Sequence, residues 1–369
     1  MRVCIDVQSA IAQRAGVGRY TRQLAENLCL TSDSDELELF YFDFMRKGVP
    51  FNAPNAARVP VRWCPGRLAQ AAWKTISWPP FDFFAGQSDV YHFPNFIIPP
   101  LSRGKSVVTI HDASFLRFPQ FAEEKNLRYL TTKIRDTVNR ADAIITDSEF
   151  GAQEIESLLN ADPARIFPIH LGISGDFKPV DKELVKATLA LLGIDRPYIL
   201  AVGTLEPRKN IELLIETFEK LTSFSGYLVL AGMTGWKCEP ILKRIESSHC
   251  AARIRRINYV DDSQLPSLYS GAQVLALTSL YEGFGFPPLE AMACGTPVVS
   301  SHGGSLSEVL GGAALFVEQF ESDLWAVQIG RALSDADLRQ RLITDGKKQA
   351  AKYTWRETAL KTWKVYRGL

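Results

Sequence analysis

Residues 281–299 read YEGFGFPPLEAMACGTPVV. Two glycines in three positions would weaken a packed strand, and a plain surface loop has no need of two phenylalanines. The backbone at Gly283 and Gly285 is therefore left bare for something that approaches closely. Pro287 and Pro288 suit the opening positions of a helix, which puts Glu290 in its first turn. Immediately upstream, QVLALT (273–278) is a strand-like apolar run. Glu282 thus falls in the loop beyond a strand's carboxyl end, where ligands bind in open α/β sheets.

Moving outward, strand-like runs alternate with amphipathic helical ones in both halves of the chain. In the first half the strands are 2–7, 37–42, 90–93, 106–110, 143–146 and 165–169, with helices at 19–30, 121–140 and 148–159. Ser148 is the N-cap candidate for the last of these. After a looser stretch, HLGISGDFKPVD (170–181), the pattern restarts. Strands fit 197–203, 227–232, 273–278 and 296–301, and helices fit 210–221, 239–248, 263–271 and 288–294. Such alternation with short connections predicts parallel sheets covered on both faces. The fold class is α/β: two Rossmann-like, doubly wound domains facing one another.

Two further strand-to-helix loops stand out. QSAIAQRAGVGRY (8–20) carries Gly16 and Gly18 ahead of a helix, and GTLEPRKN (203–210) ends in Arg208 and Lys209 at a helix start. Bare backbone N–H groups and a helix N-terminus favour phosphate, whereas cations at that end are unfavourable unless an anion arrives. A diphosphate meets that need. Glu282 and Glu290 would repel phosphate, so they are expected to face vicinal hydroxyls, which carboxylates accept well. A nucleotide-diphosphate sugar combines both demands, with the N–H groups of Gly283, Phe284 and Gly285 available to phosphate or sugar.

Composition narrows the classes further. Net charge is +1, and residues 1–180 hold 20 basic against 20 acidic side chains, which argues against a nucleic-acid partner. The N-terminus MRVCIDVQSA is unlike a secretory signal, and no apolar run approaches a bilayer span. The six cysteines form no CxxC pair and read as reduced core residues of a cytoplasmic protein, with no metal framework. No G-x-G-x-x-G follows a strand, which disfavours a dinucleotide oxidoreductase.

The 281–299 stretch resembles the E-x7-E region of retaining family-4 glycosyltransferases with the GT-B fold. GVGRY, HDASFLRFP (111–119), ITDSEF (145–150), VGTLEPRKNI (202–211), YVDDSQLPSLYSGA (259–272) and the closing YTWRETALKTWKVYRGL extend the likeness over nearly the whole chain. Within that family the likeness is to mannosyl- and rhamnosyl-type enzymes of bacterial surface-polysaccharide assembly. The resemblance implies residues 1–180 as the acceptor-side domain, 181–352 as the donor-side domain, and 353–369 as a helix crossing back to the first, with a cleft between the domains. It implies Glu282 at the donor sugar, Glu290 at the ribose, and Lys209 with Arg208 at the departing diphosphate. Gly16 would meet the diphosphate, Gly18 belongs to the same glycine loop, and His111 would sit beside the sugar. Thr204 stands where many relatives carry an arginine. The Gly232–Trp236 and Tyr259–Val260 stretches are candidates for the base pocket.

The expected activity is retaining, metal-independent transfer of a hexose, mannose favoured, from a nucleotide-diphosphate sugar (GDP favoured) to a saccharide or lipid-linked saccharide. No cofactor is called for beyond the co-substrate. Asp33-Ser34-Asp35 reads as a turn rather than a metal site, and Asp261-Asp262 as the cap of a helix from Ser263. An epimerase or hydrolase on the same architecture, or a non-catalytic nucleotide-sugar binder, are the competing readings. Between Asp43 and Asp82 six basic residues and no acidic ones mingle with Phe44, Phe51, Trp63, Trp73, Trp78 and Phe81. That mixture suits either core packing under a basic face or peripheral attachment to a membrane.

Overall fold

The computed structural model describes residues 1–13 and 16–369, without the side chains at positions 125 and 126; Arg14 and Ala15 of the glycine loop lie outside the described residues. The chain forms two compact units. The first comprises Met1–Leu116, Lys125–Gly172 and Thr354–Leu369; the second comprises Arg117–Glu124 and Ile173–Tyr353. The change of unit at 172/173 precedes the expected 180/181, the closing helix joins at Thr354, and 117–124 belongs to the second unit despite its place in the sequence.

The first unit is a seven-stranded sheet in the order β3-β2-β1-β4-β5-β6-β7. Its strands are β1 (Arg2–Asp6), β2 (Glu36–Phe42), β3 (Ala57–Val61), β4 (Val90–Phe93), β5 (Lys105–Ile110), β6 (Ala143–Thr146) and β7 (Ile166–Pro168), and every pairing is parallel. The second unit holds β10-β9-β8-β11-β12-β13, also parallel throughout. Its strands are β8 (Tyr198–Val202), β9 (Tyr227–Ala231), β10 (Ile254–Ile257), β11 (Val274–Leu277), β12 (Val298–Ser300) and β13 (Leu315–Phe316). β4, β6, β9, β11 and β12 are buried along their whole length. Continuous burial is what helices on both faces of a parallel sheet produce, and it explains why these strands read as unbroken apolar runs.

Both sheets reverse strand order beside their first strand, at β1/β4 and at β8/β11. Those switch points are where the connecting loops splay apart and leave a crevice. In the second unit the core around Phe218, Leu228, Leu230, Val299 and Trp325 holds the sheet against its helices. In the first, the Trp355–Arg367 helix is capped by Thr354, whose hydroxyl accepts the Glu357 N–H. Trp363 donates to the Leu28 carbonyl at 3.1 Å, and the Tyr366 hydroxyl lies 2.6 Å from His92 Nδ1. His92 Nε2 meets Thr109 at 2.8 Å, and burial, with His111 nearby, holds its pKa down at about 3.

Local departures from expectation have identifiable causes. Gly285, with φ +105°, turns the chain so that the helix starts at Phe286, not 288. Glu290 is consequently the fifth residue of that helix and lies beyond its first turn. Ser148 caps the Glu149–Leu159 helix as expected. The Asp261 carbonyl, not a side chain, accepts the Gln264 and Leu265 N–H groups at the helix that begins at Leu265. Asp35 binds the N-terminal amine at 3.2 Å and Arg367 at 2.8 Å.

Candidate active site

In the second unit, the loops after β8 and β11 bring four charged side chains together. Lys209 Nζ donates to Glu282 Oε1 at 2.6 Å, and Arg208 Nη1 to Glu282 Oε2 at 3.2 Å. Arg208 Nη2 donates to Glu206 Oε1 at 2.6 Å, and its Nη1 also reaches the Tyr281 carbonyl. Ser279 Oγ adds a third hydrogen bond to Glu282 Oε1, at 2.6 Å. Glu282 and Glu206 are buried. Burial alone would raise the Glu282 carboxyl, but Lys209 and then Arg208 outweigh it and hold the group at about 2.

The anion that compensates the cations at this helix start is thus supplied by the protein itself. Lys209 and Arg208 were expected at a diphosphate and Glu282 at hydroxyls; the structure brings the three together, with Glu206, in a preassembled 2+/2− cluster. The two cations differ in what remains. An ammonium has three N–H donors, and Lys209 uses one of them on Glu282. The Arg208 fork is turned to Glu206, Tyr281 and Glu282, so Arg208 positions Glu282.

Backbone geometry makes room for this cluster. Gly203 has φ +144°, and a Cβ there would lie 3.3 Å from Lys209 Cε; its bare Cα leaves the lysine stem its path. A Cβ on Gly232 would lie 2.0 Å from the Gly203 carbonyl oxygen, so the loops after β8 and β9 can run side by side only without one. Thr204 lies in this contact, its methyl facing Gly235. The Gly304 backbone packs on the Glu282 backbone, and Ser305 Oγ donates to the carbonyls of Glu282 and Phe284. Gly283, Phe284 and Gly285 are thereby fixed in one turn. Glu290 is 2% exposed and receives the Tyr269 hydroxyl on Oε2 at 2.9 Å. Val260 is buried, while Trp236 donates to the Phe121 carbonyl and Lys237 to that of Gln120, both at 2.6 Å. Phe118 meets the Tyr281 ring edge-on. The 117–124 segment therefore clips onto the loop after β9 and onto the residue before Glu282.

The remaining candidates lie in the first unit. Both His111 nitrogens have partners: Nδ1 lies 2.9 Å from Asp147 Oδ2, and Nε2 lies 3.0 Å from the Pro94 carbonyl. A carbonyl can only accept, so Nε2 carries a proton, and a second proton is held between Nδ1 and Asp147. Burial opposes the charge, but Asp147 prevails and raises the His111 pKa. His111 was expected beside the donor sugar; the structure shows its ring held by Asp147 and the Pro94 carbonyl. Gly16, with φ +57°, caps the Val17–Leu30 helix, and nothing lies within 4 Å of where its Cβ would stand. Gly18 is inside that helix, not ahead of it; a Cβ would lie 2.1 Å from the Gln13 carbonyl oxygen. Its bareness serves the chain's own packing. Sequence reasoning missed Glu206, Ser279, Tyr269 and Asp147. Glu206 had a visible signal, an acid two residues before Arg208 in a strand-to-helix loop; the others needed the fold.

Comparison with known proteins identifies the family. Residues 14–177 match the family "Glycosyltransferase Family 4", and residues 191–349 match "Glycosyl transferases group 1". O-antigen chain mannosyltransferase B of Escherichia coli is 31% identical over 374 residues, covering 96% of each chain. Among solved structures, sucrose-phosphate synthase of Thermosynechococcus elongatus superposes with a TM-score of 0.77 at 20% identity, over 100% of this chain and 98% of that one. Anabaena HepE, solved with UDP and glucose, gives 0.74 at 16% identity over 100% of both chains. The chain belongs to the family-4 glycosyltransferases of the GT-B fold, among the relatives of the O-antigen mannosyltransferases.

Proposed function

We propose that this glycosyltransferase moves a mannose-like hexose from a GDP-linked donor to a saccharide or lipid-linked saccharide, with retention of anomeric configuration and without a metal ion. The observation that carries the reading is the Lys209–Glu282–Arg208 cluster at the β8/β11 switch point. The mannose preference is supported by the name of the 31%-identical relative. In the proposed reaction the bond from C1 to the diphosphate oxygen breaks as the acceptor oxygen bonds to the same face of C1. The acceptor proton passes to the departing phosphate oxygen. Lys209 turns its remaining donors to the diphosphate, in a preorganised site that needs no rearrangement as charge develops. Glu282, held ionised and fixed by Ser279 and Arg208, accepts from sugar hydroxyls, and Glu290 is assigned to the ribose diol.

Thermal shift with GDP-, UDP-, dTDP- and ADP-sugars tests the donor: stabilisation by GDP-mannose is expected, and stabilisation by the others alone overturns that choice. Anomeric proton NMR of the product checks retention, and assay in excess EDTA checks metal independence. Nucleotide release that is indifferent to acceptor would favour a hydrolase or epimerase, and binding without turnover a sensor.

We further infer peripheral membrane attachment. Phe44, Met45, Trp63, Leu68, Ile76, Trp78 and Phe83 are all exposed on the first unit, whereas Phe51 and Phe81 are buried and Trp73 is half-buried. Among them stand Arg46, Lys47, Arg62 and Arg67, also exposed. Aromatic and basic side chains mixed in this way suit an anionic lipid surface. Among the described residues no helix is long and apolar enough to cross a membrane.

A further inference from the structure

The turn that carries Glu282 is fixed from one side by the loop after β12, Ser301-His302-Gly303-Gly304-Ser305. The Glu282 N–H donates to the Gly303 carbonyl at 3.2 Å, and the Ser305 N–H donates to the Glu282 carbonyl at 3.0 Å. Both backbone groups of Glu282 therefore end on this loop, which meets it as a parallel bridge between Glu282 and Gly304. Ser301 Oγ donates to the Ser279 carbonyl at 2.5 Å, and the Ser279 hydroxyl in turn meets Glu282 Oε1. The loop thus sets where the Glu282 carboxylate stands.

Glycine is a costly residue for such a task, because it loses more conformational freedom on folding than any other. Close approach requires it here. A Cβ on Gly304 would lie 2.2 Å from the Glu282 carbonyl oxygen, and one on Gly303 would lie 2.5 Å from that of Ser279. With no side chain at either position, the neighbours must hold the loop. Ser301 and Ser305 are buried and hold its inner ends. On the outer side the hold falls to His302, the residue before the glycine pair.

The His302 imidazole lies flat on the Phe316 ring of β13, with centroids 4.4 Å apart and planes 18° from parallel. Its Nδ1 lies 2.7 Å from Ser307 Oγ, and its Nε2 lies 3.1 Å from Glu318 Oε1. A carboxylate only accepts, so Nε2 carries the proton donated to it. These contacts are unequal. Glu318 is 82% exposed, and an ion pair open to water contributes little. The stack on Phe316 and the bond to Ser307 are the stronger restraints.

We propose that His302 is a positioning residue for the transfer reaction. By stacking on Phe316 it holds Gly303 and Gly304 in register with Glu282, and so fixes that carboxylate against the reacting sugar. The inference rests on the transferase reading and deepens it with a residue that acts on the sugar only through Glu282.

The test combines amide hydrogen exchange with kinetics on the full chain. His302→Ala should speed exchange at the Glu282 and Ser305 amides about tenfold or more, while β9 amides keep their wild-type rates and report that the variant folds. With GDP-mannose and octyl α-mannoside, kcat should fall about tenfold and the donor KM stay within about threefold, because a small displacement of a positioned group is felt in the transition state. A general loss of stability would move the β9 amides and would not single out kcat. His302→Phe restores a ring on Phe316 and should bring exchange and kcat back to within about threefold of wild type. Glu318→Ala should leave both within about twofold. Unchanged exchange at Glu282 in His302→Ala, or unchanged kcat, overturns the proposal. Damage by Glu318→Ala equal to that of His302→Ala overturns the stack as its means. If Glu282→Gln leaves kcat intact, or the wild type turns over no donor, the transferase reading of Glu282 fails instead, and the exchange rates still decide whether His302 holds the turn.

Discussion

On the proposed mechanism, Glu282 serves stability and chemistry together. Its folded pKa of about 2 lies below the ordinary 4.5. The stabilisation is therefore present above pH 4.5 and is lost as pH falls toward 2. Glu282→Gln should cost about 2–3 kcal/mol at pH 7 and flatten the acid limb of the stability profile, read by urea unfolding between pH 2 and 7. Removing the internal anion frees Lys209, so affinity for free GDP should hold or rise while kcat falls about tenfold or more. A kcat within about threefold of wild type would remove Glu282 from the donor sugar. Lys209→Ala should lose both GDP affinity and turnover, and leave Glu282 easier to protonate. Asp6 has the opposite sign. Its folded pKa of about 6 lies above 3.8, so the folded protein binds the proton more readily and stability falls as pH rises from 3.8 to 6. Asp6→Asn should therefore gain about 1–2 kcal/mol at pH 7, read by urea unfolding.

At the scale of elements, the surface around the Gly66–Thr75 helix makes the membrane proposal measurable. Each basic side chain near anionic lipid contributes about 1 kcal/mol, so Arg46/Lys47/Arg67→Glu should reduce co-sedimentation with phosphatidylserine vesicles by about two orders of magnitude in affinity. Equal sedimentation of the variant, or none by the wild type, makes the surface ordinary. The same region shows where the sequence was legible and where it was not. The Trp355–Arg367 helix was legible through the family resemblance of the closing stretch, and Thr354 caps it. β3 went unread because Pro60 interrupts it and only Val61 is buried. β10 was hidden because Arg255 and Arg256 are exposed at the sheet's edge, and β13 because two residues carry no period. In the site, Glu282, Lys209 and Arg208 were visible as residue types at a strand's end, but their mutual pairing was not: two loops separated by some 70 residues meet only through the β8/β11 neighbourhood. The packing at Gly18 was not legible because a bare Cα has the same letter whether a phosphate or the Gln13 carbonyl approaches it. Gly18→Ala should lower the melting temperature by several degrees through that clash, about 1–3 kcal/mol, with no nucleotide needed to see it.

For the molecule as a whole, the two sheets repeat one plan, with a crevice beside the first strand of each, yet the units are not consecutive stretches of chain. The polypeptide changes unit four times, at 116/117, 124/125, 172/173 and 353/354. The last two changes run side by side: Gly172 packs on the Trp355 backbone so tightly that a Cβ would lie 2.0 Å from its nitrogen, and the Ile173 N–H donates to the Tyr353 carbonyl at 3.1 Å. This interleaving governs how such enzymes can be recombined. A chimera cut once, near residue 172, would deprive one unit of its closing helix and the other of the clip that carries Phe118 and receives Trp236. A graft of a relative's donor half succeeds only when 117–124 travels with 173–353 and 354–369 stays behind. Inheritance of donor preference should therefore follow all four seams or none.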